Sequence, residues 1–236
     1  MTTTMTQAPP LPYAALNGLM SDMTGDEKHQ PSATSTLDVL WVLYDSILRV
    51  DPAHTADPTR DRFFLSKGHG PVSYYAVLAA KGFIPRDWLP TIGRFDSRLG
   101  YHPDRNLVPG VEISSGSLGH GLPLAVGTAL GLRAQRNPAR VFVLVGDAEL
   151  DEGSNHEAIA YAARARLDRL TVAVIDNTSS SHGWPGGIAR RFETEGWTTA
   201  TIDGRDHAQI AAAFEEPHDR TPHAVIARVE PKWSTQ

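Results

Sequence analysis

Residues 140–153 read RVFVLVGDAELDEG, and residues 171–177 read TVAVIDN. Arg140 to Val145 and Thr171 to Ile175 are β-branched and aromatic runs of strand length, ending at Gly146-Asp147 and at Asp176-Asn177. Between them, Ser154 to Leu170 is alanine-rich and free of glycine and proline, so it reads as a helix. Strand, helix and strand make a βαβ unit. Asp147 and Asn177 then stand at the carboxyl ends of two parallel strands, the edge where open α/β sheets bind ligands.

A carboxylate and an amide oxygen at one sheet edge suit Mg²⁺, which takes a few protein oxygens and completes its shell with phosphate and water. Asp147 and Asn177 would be two ligands, and a backbone carbonyl just past Asn177, that of Ser179, a third. The helix start after Gly153 offers N–H groups and a positive dipole end to an anion. Spacing alone leaves a second reading open, in which Asp147 caps a helix and Asn177 makes a turn.

Outward from this unit, the periodic Leu37, Leu40, Trp41, Leu43, Tyr44 and Ile47 predict a helix over about 35–50, stopped by Asp51-Pro52. Phe63 to Leu65 is a short buried segment leading into Ser66-Lys67-Gly68-His69-Gly70. Val72 to Lys81 reads as a helix closed by Gly82. Ser117 to Gln135 is apolar on nearly every side, which predicts a buried helix. Its glycines, 119, 121, 127 and 131, would admit another backbone or a partner chain. Residues 178–190 form a Ser-, Gly- and Pro-rich loop. Thr198 to Ile202 and His223 to Val229 read as strands around a helix at Ala208 to Phe214. Residues 1–12 read as a flexible tail, and 13–236 as one domain.

The chain of 236 residues has no cysteine, which excludes disulfides, thiolate metal sites and a cysteine nucleophile. Its net charge of −5, without a Lys/Arg block, gives a nucleic-acid role no footprint. No apolar run is long enough for a membrane span. No signal pattern opens the chain, so a cytoplasmic protein is expected.

GDAELDEG followed by Asn177 resembles the thiamine diphosphate motif in its transketolase form. EGSNHEA at 152–158, LSKGHGP at 65–71, YHPD at 101–104 and PGVEISSGSLGHGL at 109–122 resemble further transketolase signatures, in the family's order. The resemblance covers roughly 23–229. It implies a parallel six-stranded sheet with helices on both faces: the thiamine diphosphate-binding fold, diphosphate-binding domain. It implies thiamine diphosphate and Mg²⁺ as cofactors, with Gly146, Asp147, Ala148, Glu149, Glu152 and Asn177 in the cofactor motif. Gly116 and Leu118 are expected to face both cofactor and partner chain.

His69, flanked by glycines, is the strongest histidine candidate, because the backbone there can approach a ligand closely. By resemblance it contacts the cofactor diphosphate, while His29 and His102 line the substrate channel. His120 stands where the family commonly has glutamine, and His156 packs or joins the acidic cluster. Glu152 belongs by resemblance to an acidic network linking two active sites.

The family's activating glutamate lies in a separate pyrimidine-binding domain. The chain is therefore expected to be the N-terminal subunit of a split transketolase, completed by a C-terminal partner, with two copies of each chain. The expected reaction is transfer of a two-carbon ketol unit from a sugar phosphate or related donor. Alternatives are a specialised enzyme passing that unit to a carrier-protein thiol, and a non-catalytic scaffold subunit. A 2-oxo acid dehydrogenase α-subunit fits SKGHG and GSLGHG less well. Four departures bear on specificity rather than on diphosphate binding: Ala148 at the second motif glycine, Ser181-His182-Gly183 after the asparagine, a shorter loop to Gly196-Trp197, and VEPKW in place of a lysine- and glycine-rich end.

Overall fold

The sheet is built from five parallel strands in the order β1-β2-β3-β5-β4. They are β1 (Arg62–Leu65), β2 (Val141–Gly146), β3 (Leu170–Asp176), β4 (Thr198–Asp203) and β5 (His223–Arg228). The computed structural model describes residues 9–23, 25 and 31–232. Register pairs Val141 with Leu170 and Gly146 with Ile175, so β2 and β3 end side by side. Four of the five strands arise from runs read as strands in the sequence, and β1 forms from the segment read only as short and buried. The sixth expected strand has no counterpart among the described residues.

Alternation along each strand sorts the core into two layers. Phe63, Leu65, Phe142, Leu144, Ala173 and Ile175 face one cluster. That cluster is covered by α1 (Leu16–Ser21), α3 (Leu37–Val42), α4 (Pro71–Ala80) and α8 (His207–Glu215). Phe64, Val141, Val143, Val145, Val172 and Val174 face the other. There the cover is α5 (Gly121–Ala134), α6 (Gly153–Arg164) and α7 (Gly187–Glu195). A short turn, α2 (Pro31–Thr34), precedes α3. Full burial of each large apolar side chain contributes about 1.5–3 kcal/mol before entropy is counted. Helices on both faces explain why β2 and β3 read as continuous apolar runs. No helix among the described residues is long and apolar enough to cross a membrane.

Several boundaries shift from the sequence reading. α6 stops at Arg164, and Leu170 begins β3, because Arg166 takes a left-handed conformation that breaks the helix. The helix expected over 35–50 is α3 followed by a π turn at Leu43–Ile47. Residues 9–12, expected within the tail, are anchored: Leu11 N donates to Ala80 O, and Arg86 donates to Pro9 O. α5 is buried on one face only. Leu122, Ala125, Val126, Ala129 and Leu132 are buried there, whereas Leu124, Gly127 and Gly131 are exposed.

At the opposite edge from the motif, Asp61 fixes β1 to β2. Its carboxylate, wholly buried, accepts from the guanidinium and backbone N–H groups of both Arg49 and Arg140. Burial pushes its carboxyl up, but those hydrogen bonds outweigh it and hold the pKa below the usual value. The stabilisation is therefore complete above the ordinary aspartate range and is lost as pH falls through the lowered value. Asp61→Asn should cost about 2–3 kcal/mol in urea unfolding at neutral pH, since both guanidiniums remain partly solvated. The difference from wild type should shrink as the pH falls through the Asp61 transition.

Candidate active site at the carboxyl edge of the sheet

Beyond β2 the chain turns through Gly146, Asp147 and a 3-10 turn at Ala148–Asp151 before α6 begins. Glu149 points back into the protein. Its buried carboxylate accepts from Ser66 Oγ at the end of β1, from Gly119 N at 3.0 Å and from Gly146 N at 3.2 Å. Ser66 Oγ also accepts from Gly121 N, at 3.0 Å, and Asn155 Nδ2 donates to Glu149 O. One carboxylate thus joins the ends of β1 and β2 to the start of α5. Burial raises its pKa, and the three donors only partly offset that.

Close approach explains two glycines. A Cβ at Gly121 would collide with Ser66, and one at Gly119 (φ +85°) would meet Glu152 Cβ and Ser154 Oγ at 2.7 Å. These two glycines therefore meet the chain's own backbone and side chains, not a partner. Gly127 and Gly131, with nothing within 4 Å, lie on the open face.

Asp147 is buried, and its carboxylate accepts from Ala148 N, Ser179 N, Ser179 Oγ and Ser180 N at 2.9, 2.6, 2.5 and 3.2 Å. Asp151 similarly accepts from Ser180 Oγ, Ser181 N and His182 N. The serine-rich loop after β3 is thus folded down onto two carboxylates of the motif. Asn177 is also buried, and its Oδ1 lacks a hydrogen-bond partner among the described residues. Asn155 Oδ1 shares that lack, but it lies within α6 rather than at a strand end. A buried amide oxygen without a donor is costly, and a cation beside it would remove the cost. The set suits a hard ion such as Mg²⁺: Asn177 Oδ1, the Asp147 carboxylate and a carbonyl from the adjoining loop are all oxygens.

Of the histidines, His102 lies between two site loops. A Cβ at Gly116 (φ +117°) would meet its ring at 2.9 Å, and one at Gly68 would meet it at 3.7 Å. His69 is exposed on the first of these loops, one residue from Gly68. Gly116 and Leu118 lie on the second, Leu118 half exposed. His29 lies outside the described residues. His120 is exposed at the start of α5. His156 packs against Trp184, ring centroids 4.9 Å apart, rather than against a carboxylate. Glu152 is exposed at the start of α6.

Several site residues escaped the sequence reading. Lys67 is buried against Gly146 and donates from Nζ to Ser32 O at 3.1 Å. Burial pulls its pKa down to about 8 against the opposing pull of Asp147, and Lys232 lowers it further. Lys232 donates its backbone N–H to Asn177 O at 2.8 Å. Trp184 and Arg228 line a cavity of about 300 Å³ beside Asp147. Lys67 could have been found from its place in the SKGHG motif, whereas nothing local in the sequence marks Lys232 or Arg228.

If Glu149 is the pin of the edge, Glu149→Ala should lower stability by about 3 kcal/mol or more, by leaving Ser66, Gly119 and Gly146 donors buried without an acceptor. Urea unfolding measures this. A loss below about 1 kcal/mol would show that the loops hold without it.

A family model described as transketolase, thiamine diphosphate binding domain, matches residues 21–230. The chain is 59% identical over 218 residues to a Rhodococcoides fascians protein named ferredoxin fas2, covering 92% of this chain and 72% of that one. Lacking cysteine, this chain offers no thiolate for an iron–sulfur cluster. It is 38% identical over 207 residues to an apulose-4-phosphate transketolase subunit of Actinobacillus succinogenes, covering 84% and 75%. In fold it is similar to a transketolase variant from Pichia stipitis, with a TM-score of 0.80 at 23% identity. The match takes in 94% of this chain and 36% of that one, so the chain spans about a third of that solved transketolase.

Proposed function

The chain belongs to the transketolase family, as its thiamine diphosphate-binding domain, and on that premise we propose that it is the N-terminal subunit of a two-component transketolase. The enzyme transfers a two-carbon ketol unit between phosphorylated sugars or related compounds. The observation that carries this reading is the buried, unpartnered Asn177 Oδ1 at the end of β3, next to Asp147 at the end of β2. Two such oxygens at adjacent strand ends would suit a Mg²⁺ ion that accompanies a diphosphate.

Within this reading, Asp147, Asn177 and the Ser179 carbonyl hold Mg²⁺. For Asp147 to do so, its carboxylate must give up at least the Ser179 hydroxyl. Gly146, Ala148, Glu149, Glu152, Gly116 and Leu118 form the cofactor surroundings, Glu149 by holding the glycine loops in place. His69 donates to the diphosphate. His102, and His29 with it, bind donor hydroxyls and move protons to and from them. When bound, thiamine diphosphate supplies the electron sink for breaking and remaking a carbon–carbon bond.

Calorimetry on the assembled enzyme tests the metal assignment. Asp147→Ala should abolish Mg²⁺-dependent thiamine diphosphate binding, and Asn177→Ala should weaken it by at least about tenfold. Cofactor affinity that survives Asp147→Ala would remove the assignment.

The partner reading is supported by the Actinobacillus succinogenes relative, itself named as one subunit of its transketolase. It is supported too by the exposed face of α5, where Leu124, Gly127 and Gly131 leave an apolar strip. A C-terminal subunit carrying the pyrimidine-binding domain fits that strip, and two copies of each chain make the closed assembly. The purified chain should have no ketol-transfer activity until the partner is added. Gly127→Leu should block co-assembly in light scattering while leaving the circular dichroism of the chain unchanged. Turnover by the chain alone would mean that it needs no second subunit.

A further inference from the structure

The edge of the sheet opposite the proposed cofactor site carries a second constellation. A cavity of about 280 Å³ opens between the C-terminus of α5 and the turn from α6 to β3. Arg133, Arg136 and Arg169 line it against a single acid, Asp168, leaving an excess of two positive charges in a chain whose net charge is −5. Ala129, Leu132, Ala139 and Leu167 form an apolar wall. The six residues of β2 separate this edge from Asp147, roughly 20 Å at strand rise.

The helix ends there depart from what stability alone favours. Both α5 and α6 finish in the same double-bonded turn: Arg136 N to Arg133 O with Asn137 N to Leu132 O, and Arg166 N to Ala163 O with Leu167 N to Ala162 O. The residue after the cap in that turn is left-handed and is usually glycine. Here it is arginine twice, with φ +54° at Arg136 and +51° at Arg166. Neither is needed to complement the helix dipole, because Arg133 and Arg164 already occupy the last turns. Of the two, Arg136 lines the cavity, and keeping arginine there in a conformation that glycine adopts without strain points to a use for its side chain.

The guanidiniums are also partly pre-set. Arg133 donates to Ala165 O and Arg166 O, and Arg169 donates to Pro138 O. Each guanidinium carries five donors, so most remain for a ligand. The exposed carbonyls of the α6 end, which would repel an anion, are covered by Arg133.

We propose that this cavity is a binding site for a small organic phosphate, remote from the carboxyl edge of the sheet. The paired charge excess matches a phosphate monoester dianion, and guanidinium forks bind phosphate bidentately. The apolar wall and the volume, larger than a bare phosphate needs, call for a carbon skeleton or base attached to it.

Adenosine 5′-monophosphate and inorganic phosphate serve as probes, titrated by calorimetry into the full chain at low salt. The nucleotide should bind saturably with one site per chain and more tightly than phosphate. Arg136→Gly removes the guanidinium and suits the left-handed backbone, so it should keep or raise the melting temperature while weakening nucleotide binding by about tenfold or more. Arg169→Gln should weaken it similarly. Asp147→Ala, at the other edge, should leave it unchanged. The proposal is overturned if neither probe binds saturably, if Arg136→Gly and Arg169→Gln bind the nucleotide as wild type does, or if Asp147→Ala abolishes that binding.

Discussion

Three chain segments that are far apart in sequence meet at the buried carboxylate of Glu149, and the geometry of the carboxyl edge follows from that meeting. Ser66 leaves β1, Gly146 leaves β2, and Gly119 leads into α5; each donates a hydrogen bond to the same group. A carboxylate in this position costs desolvation energy, visible in its raised pKa, so it is tolerable only while all its donors are in place. The loops therefore have one arrangement compatible with a buried acid. In it, the Gly116–Leu118 turn and the His69 loop converge on His102, while Asp147 and Asn177 follow the ends of β2 and β3.

The acids of the motif divide their work by burial and partner. Glu149 is turned inward and consumed by structure. Asp147 and Asp151 are turned toward the loop after β3, where serine hydroxyls and backbone N–H groups reach them. A loop held by carboxylates is reversible in a way that a packed hydrophobic loop is not, because a cation can compete for the same oxygens. Lys67, buried beside Gly146 and tied to Ser32 O, adds positive charge behind this edge and links it to α2. At the opposite edge carboxylates are spent on arginine: Asp61 holds Arg49 and Arg140, and Glu112 holds Arg60.

Much of this was legible in the sequence, for a physical reason in each case. Backbone preference writes locally, so the β-branched runs at 140–145 and 171–175 disclosed two neighbouring parallel strands, and the turn residues that ended them marked the carboxyl edge of the sheet. Gly82 disclosed the end of α4 in the same way. Motif order then disclosed the family, because Ser66 to Gly70, Tyr101 to Asp104 and Pro109 to Leu122 each carry a loop whose shape needs those residue types. What local preference could not settle was contact. The glycines at 119 and 121 read as openings for another backbone or for a partner chain, and contact chose between the two: they are spent on Ser66, Glu152 and Ser154 of the same chain. The apolar character of 117–135 read as full burial, whereas the sheet covers only one face of α5. Glu149 read as a cofactor residue, and only the three donors around it reveal a pin. Nothing local in the sequence marked Arg136 and Arg166, which the backbone holds in the place of glycine. Strand identity, sheet edge and family are properties of short segments and so were determined by the sequence alone. Which acid is buried, which glycine is crowded and which face stays open depend on segments tens of residues apart, and only the tertiary structure decided them.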